Sequence, residues 1–298
     1  MLERIAFIDY GQKIIGVERS ESHYILRVWD TASARVIDSF PIEIDGISHF
    51  SVIGNDSICI GDFSGILRCW QYSVNMKLTE EIDLSDNFEE ITSVDVSSDG
   101  HLWCIGADNC IILRNSSDKS VIHKICQDSA PVISVFCSDD VHIVVGKPCE
   151  IIKQAIKSRQ VVTSIKTRCE PFVRICRRML NNSEIFVMWD TFDLSVVDFS
   201  NTSNPLHSVP QPNGSKNTPF TPGDVTIDGN IIVTGYSRGD IYTVDTKSQS
   251  LLMKFEGHSQ TIIDVIFSPD GKSILSTSYD GTTRLWDVQR GRERLRYT

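Results

Sequence analysis

Short apolar runs alternate with polar positions along the chain, most plainly near its C-terminus. There Ile262-Ile263-Asp264-Val265-Ile266-Phe267 leads into the turn Pro269-Asp270-Gly271. A second run, Ser273-Ile274-Leu275-Ser276-Thr277-Ser278, ends at Asp280-Gly281, and a third, Thr282-Thr283-Arg284-Leu285-Trp286-Asp287, follows. Period-two alternation interrupted by Pro-Asp-Gly and Asp-Gly predicts antiparallel strands joined by hairpins. A unit of three or four such strands cannot cover both of its faces, so neighbouring units must repeat it.

The rest of the chain repeats it in degraded form. Trp286, which ends the third strand, has counterparts at Trp29, Trp70, Asn115, Gln154, Phe199 and Val244. The interval of about 40–45 residues is the period of four-stranded propeller blades. The pattern therefore predicts an all-β chain, a seven-bladed β-propeller of four-stranded antiparallel blades. In the third unit the strands are expected at 91–96, 102–106, 110–114 and 121–126. All 298 residues form one expected domain, with blades over 1–44, 45–87, 88–129, 130–168, 169–215, 216–257 and 258–298. The longest stretch without a strand signal, 201–222, interleaves Pro205, Pro210, Pro212, Pro219 and Pro222 with Asn, Ser and Gly, and reads as a surface loop.

These residues resemble the WD-repeat family, whose fold is a seven-bladed propeller. In that family a Gly-His, a Ser or Thr, an Asp and a Trp form a hydrogen-bonded structural tetrad in each blade. The resemblance implies that His258, Thr277 or a neighbouring hydroxyl, Asp280 and Trp286 play these parts in the last unit. No other unit is complete: His23, Ser64, Asn109, Pro148 and Arg238 stand where the turn Asp belongs, and the fifth unit keeps Asp193 but ends in Phe199. Trp189-Asp190 falls at the end of a second strand instead. Many relatives pair an N-terminal strand into the last blade, whereas here Glu293–Tyr297 serves as the last unit's own fourth strand.

Composition narrows the class. Apolar content of 41% and charged content of 23% suit a folded globular chain. No apolar run approaches the ~20 residues that span a bilayer, and the first residues lack a signal-peptide core. The nine cysteines include no Cys-x-x-Cys and no zinc-type spacing, so they read as free, buried thiols in a reducing compartment. The cytoplasm is the expected location, with the nucleus as the alternative.

His258, Thr277 and Asp280 also have the composition of a hydrolase triad, but the tetrad accounts for them together with Trp286 and their order. With no phosphate loop, metal-ligand cluster or paired-carboxylate motif, the chain is expected to be no enzyme and to hold no cofactor or metal. Its charge is uneven. Against an overall −10, residues 147–178 carry nine Lys and Arg and two acids. Arg168, Arg174, Arg177 and Arg178 in that sector are candidates for an acidic or phosphorylated partner, or for a phosphoinositide or other anionic membrane surface. Phosphoinositide-binding propellers carry Arg-Arg-Gly, but here Met179 follows Arg177-Arg178. Nucleic acid is not expected, because the chain is acidic and no aromatics interleave the basic run.

The loops expected on the narrower face carry Glu43, Asp45, Asp86, Glu89, Glu90 and Asp128, joined by Glu18, Glu21 and Glu256. Glu89 and Glu90 are the candidates there for a basic peptide. The resulting expectation is a non-enzymatic scaffold or adaptor for protein–protein interaction, a subunit or module of a multiprotein assembly. The alternatives are a membrane-binding propeller using 147–178, and the substrate-recognition module of a ubiquitin ligase or a regulatory part of a larger enzyme. The ligase's Trp-Asp-x-Arg is absent from Trp29-Asp30-Thr31-Ala32 and Trp286-Asp287-Val288-Gln289.

Overall fold

A computed structural model of the chain describes residues 2–20, 23–54, 56–72, 75–126, 132–147, 149–167, 172–180, 183–190, 194–201, 206–209 and 220–297. Within them 28 strands form seven four-stranded antiparallel sheets, each in chain order. The fold class is thus that of a seven-bladed β-propeller. The sheets are blades 1 to 7 below, and their strands a to d. The turns are short enough that each strand pairs with the next, so every blade is a plain meander. In blade 3 the strands run Ile91–Val96, Leu102–Ala107, Cys110–Asn115 and Val121–Cys126, within a residue of the sequence expectation. In blade 5, strand c ends at Val197, so Phe199 lies beyond the strand it was expected to close. Trp189 lies in strand b, as its spacing implied.

The chain divides into two compact units. The first comprises 1–43, 178–198 and 206–298. Within it, blades 1 and 7 each draw all four strands from their own stretch, 2–42 and 262–297, with no exchanged strand. They meet through Ile5, Phe7, Ile14 and Trp29 packed with Ile266, Leu275, Leu285 and Tyr297. The Tyr297 hydroxyl also donates to the Thr31 carbonyl at 3.1 Å.

The second unit comprises 44–177 and 199–205 and contains blades 2, 3 and 4. Blades 2 and 3 share a core of Leu67, Ile82, Phe88, Ile91, Ile105 and Ile112, with further apolar side chains around it. Blades 3 and 4 share one built on Ile111, Leu113, Phe136, Ile143 and Val145. The inner strands are apolar on both faces because a neighbouring sheet covers each.

Carboxylates in strand a reinforce these joints. Asp95 accepts the Phe136 N–H at 2.7 Å, and Asp224 accepts the Phe267 N–H at 3.0 Å. Asp264 accepts the Ile5 N–H at 3.4 Å. Each ties a blade to its successor by a charge-assisted bond worth about 1.5–3 kcal/mol.

Cys104 and Cys137 are buried thiols as expected, but other cysteines depart from the sequence expectation. Cys59 is bonded to Cys69 and Cys110 to Cys126, and Cys149 is also in a disulfide. The reason is register. Cys59 faces Cys69 across strands b and c of blade 2, and Cys110 faces Cys126 across strands c and d of blade 3, with Cα separations of 4.1 Å. Spacing alone does not disclose which residues stand opposite. The inference from free thiols to a reducing compartment therefore fails. Among the described residues no helix is long and apolar enough to cross a membrane.

Candidate functional site

Blade 7 holds a line of polar groups inside the sheet. The Trp286 indole N–H donates to Ser276 Oγ at 2.8 Å, and Ser276 Oγ lies 2.8 Å from His258 Nε2. His258 Nδ1 lies 2.9 Å from Asp280 Oδ2. One proton arrangement satisfies every group: Ser276 donates to Nε2, and Nδ1–H donates to Asp280. Burial lowers the His258 pKa, the Asp280 carboxylate opposes that, and the ring stays neutral. Burial pushes the Asp280 carboxyl up, but hydrogen bonds from Thr282, His258 and the Ser259 N–H outweigh it and hold it well below the carboxylate range.

The hydroxyl in this line belongs to Ser276, one position before the Thr277 assigned from the sequence. Alternation decides this. Ser276 pairs with Arg284 and Ile274 with Trp286, so these four share a face, while Thr277 faces the other way with its Oγ1 buried and unbonded. Although Ser, His and Asp stand in a triad's order, Ser276 is wholly buried and no substrate carbonyl reaches it.

Other blades anchor the same corner differently. In blade 2, Asp62 is 1% exposed and accepts the Ser64 and Ile66 N–H groups and an Arg68 guanidinium N–H at 3.0 Å. Arg68 also donates to Glu81 at 2.7 Å. In blade 1, Arg27 pairs with Glu18 at 2.8 Å, and the buried Trp29 indole N–H has no partner among the described residues.

The surface that could receive a partner lies on the second unit, where four loops are linked by backbone bonds. The Phe63 N–H donates to the Asp45 carbonyl at 3.3 Å, and the Leu84 N–H to the Gly65 carbonyl at 3.1 Å. The Asp108 carboxylate accepts the N–H groups of Glu90 at 2.8 Å and Glu89 at 3.1 Å, and the Asp108 N–H donates to the Glu90 carbonyl. Two glycines make the fit possible. A Cβ on Gly46 would fall 2.6 Å from the Phe63 ring, and one on Gly65 would fall 2.3 Å from the Phe88 carbonyl; both have φ near +80°.

Phe63 is 55% exposed on this row, with Asp45, Asp86 and Glu89 exposed along it. Glu90 is part-buried, and burial together with the Asp108 charge raises its pKa. Phe63 and Asp108 were not among the sequence candidates. The Gly65 turn after Phe63 was the available signal, since a turn tip exposes an aromatic that a strand would bury.

The other candidates separate. The Arg178 guanidinium is committed within the first unit, donating to Asp224 Oδ1 at 3.0 Å and to the Val225 carbonyl at 3.0 Å. Arg174 and Arg177 lie in strand a of blade 5 with Arg178, and Arg174 also has an interaction partner. The Arg177 side chain lies outside the described residues, as do Arg168, Glu21, Asp128, Pro148, Asp193 and most of 201–222; that stretch is not one surface loop, since Leu206–Ser208 and Phe220–Val225 are strands. Lys147 and Lys166 share Glu150, at 2.6 and 3.7 Å. Glu18 is tied to Arg27, and Glu256 to Lys254 at 2.6 Å.

A family described as WD domain, G-beta repeat matches residues 249–287. The chain is similar to the target of rapamycin complex subunit wat1 of Schizosaccharomyces pombe, 41% identical over 49 residues, 16% of either chain. It is also similar to pre-mRNA-processing factor 19 homolog 2 of Arabidopsis thaliana, 36% identical over 76 residues, 26% of this chain and 14% of that protein. WD repeat and SOCS box-containing protein 1 of Xenopus tropicalis is 38% identical over 60 residues, 20% of this chain and 14% of that protein. The matches therefore span about one-seventh of these relatives' length.

Proposed function

We propose that this seven-bladed β-propeller, whose residues 249–287 match the WD domain, G-beta repeat family, is a non-enzymatic platform for protein–protein interaction within a larger assembly. We propose further that the loop row of blades 2 and 3 takes a basic peptide segment. The observation that carries this is the exposed Phe63 on a row of carboxylates whose loops are already bonded to one another. Asp45, Asp86 and Glu89 attract Lys or Arg side chains, and the Phe63 ring offers a face over which a cation settles. Because backbone bonds order the loops beforehand, little ordering entropy is lost on binding. The names of the relatives, a complex subunit among them, favour an assembly role; the commitment of Arg178 to Asp224 argues against the membrane reading.

Fluorescence anisotropy with a labelled Lys/Arg-rich peptide tests the reading. Glu89→Lys with Glu90→Lys should weaken binding by about tenfold or more at low salt, and less at high salt. Phe63→Ala should weaken it at both. Unchanged affinity at low salt removes this surface as the site.

A further inference from the structure

Each blade ends in a strand d that has a neighbour on one side only, leaving a row of backbone N–H and C=O groups open to pairing. Most of these edges carry features that discourage an added strand. Strand d of blade 1, Val36–Ile42, contains Asp38 and Pro41, and that of blade 2, Lys77–Asp83, contains Glu80, Glu81 and Asp83. Strand d of blade 7, Arg292–Tyr297, carries a charge at every other position or closer. In blade 6 the edge lysine, Lys254, is held by Asp240 at 3.0 Å and Glu256 at 2.6 Å. In blade 3, Cys126 is tied back by its disulfide and Lys124 lies 4.5 Å over the Phe88 ring.

Blade 4 joins an unblocked edge to exposed positive charge at both of its ends. Its strand d, Val161–Lys166, contains no acid, no proline and no disulfide. Val161 and Val162 are 52% and 54% exposed at its start, an apolar pair that Val36 and Ile37, Val121 and Ile122, and Leu251 and Leu252 also present at the starts of strands d in blades 1, 3 and 6. The turn before it, Lys157-Ser158-Arg159-Gln160, is exposed throughout, and the Lys166 side chain is 83% exposed at the far end. Nearby acids are already engaged: Glu150 by Lys147, Lys166 and Ser164, Asp139 by His142, and Asp140 by the Ser98 N–H.

We infer that strand d of blade 4 is a docking edge for an acidic, extended segment of another protein, which adds to the sheet as a fifth strand. Main-chain pairing supplies the affinity, and alternate side chains supply the selection. β-Branched residues of the incoming strand pair with Val161 and Val162. Carboxylates at its ends meet Lys157 and Arg159 on one side and Lys166 on the other. The charge selects against a basic strand, including the basic segment proposed for the loop row of blades 2 and 3, so the two surfaces select opposite partners and neither reading depends on the other.

The experiment uses the full chain and a labelled peptide alternating Val or Thr with Asp or Glu. Controls are a version of equal charge interrupted by prolines, a basic version, and phosphatidylserine vesicles. The acidic peptide should bind and slow amide hydrogen exchange over 161–166. The proline and basic versions should bind at least about tenfold more weakly, the scale of a few lost cross-strand pairs. Lys157→Glu with Arg159→Glu, and separately Val161→Thr with Val162→Asp, should each reduce binding while circular dichroism stays unchanged. Equal binding of the proline version would reduce the surface to simple charge attraction and overturn the proposal. So would vesicle binding sensitive to these variants without peptide binding, self-association lost in Val162→Asp, or protection elsewhere in the chain.

Discussion

Blades 7 and 2 carry the same side chain two residues before the strand c tryptophan, Arg284 before Trp286 and Arg68 before Trp70. Each guanidinium meets two carboxylates, Asp280 at 3.6 Å and Glu293 at 2.9 Å in blade 7, and Asp62 at 3.0 Å and Glu81 at 2.7 Å in blade 2. Blade 7 adds the Trp286–Ser276–His258–Asp280 line, whereas blade 2 has neither a histidine nor an aspartate at the positions matching His258 and Asp280. There Asp62 itself holds the turn, and Cys59–Cys69 ties strands b and c. The requirement common to both blades is a buried carboxylate that pins the b–c turn and is fully satisfied. The recognisable residues of blade 7 are one way of meeting it.

Reduction should separate the two blades most. Each disulfide stabilises by about 2–4 kcal/mol, so dithiothreitol should speed amide exchange in blades 2 and 3 and leave blade 7 unchanged. Equal loss in blade 7 would mean that the bridges do not act locally. Next in size is Asp62→Ala, which strands the Ser64 and Ile66 N–H groups and unpairs Arg68, at a cost of about 3 kcal/mol in chemical denaturation. A cost below about 1 kcal/mol would reduce Asp62 to an ordinary surface pair.

Within blade 7, Ser276→Ala should cost about 2 kcal/mol, because it leaves both the His258 ring and the Trp286 N–H without their partner. Thr277→Val removes a hydroxyl that has no bond and should cost little or nothing. The reverse ranking would return the tetrad hydroxyl to Thr277. The smallest effect is that of pH. Burial depresses the His258 pKa below its ordinary 6.5, so the unfolded chain binds the proton more readily than the folded one. Stability from this source is present above pH 6.5 and is lost as the pH falls below it. Asp280, also depressed, adds its own loss only below its ordinary 3.8. Blade 7 exchange should accelerate between pH 7 and pH 5 relative to blade 2, and His258→Gln should flatten that difference.

Much of the architecture was legible because period-two alternation and Gly turns are local properties. The blade 3 strands fell where Ile91, Leu102, Cys110 and Val121 begin them, and Trp189 read correctly as strand b. The site was less legible. In the sequence Phe63 is one apolar residue among many, and only its place at a turn tip exposes it; Asp108 is one acid among many, and only the fold sets its carboxylate against the Glu89 and Glu90 N–H groups. Arg178 read as a surface charge, yet Asp224, forty-six residues later, holds it.

The order of apolar and polar residues along this chain was enough to determine seven sheets, their strands and most of their turns, since each depends on neighbours a few residues away. Which hydroxyl reaches His258, which cysteines bond, which arginines are spent inside and which edge stays open were decided only on folding. Each of those depends on which residues stand opposite one another, and a one-residue change of register exchanges the buried face of a strand for the exposed one.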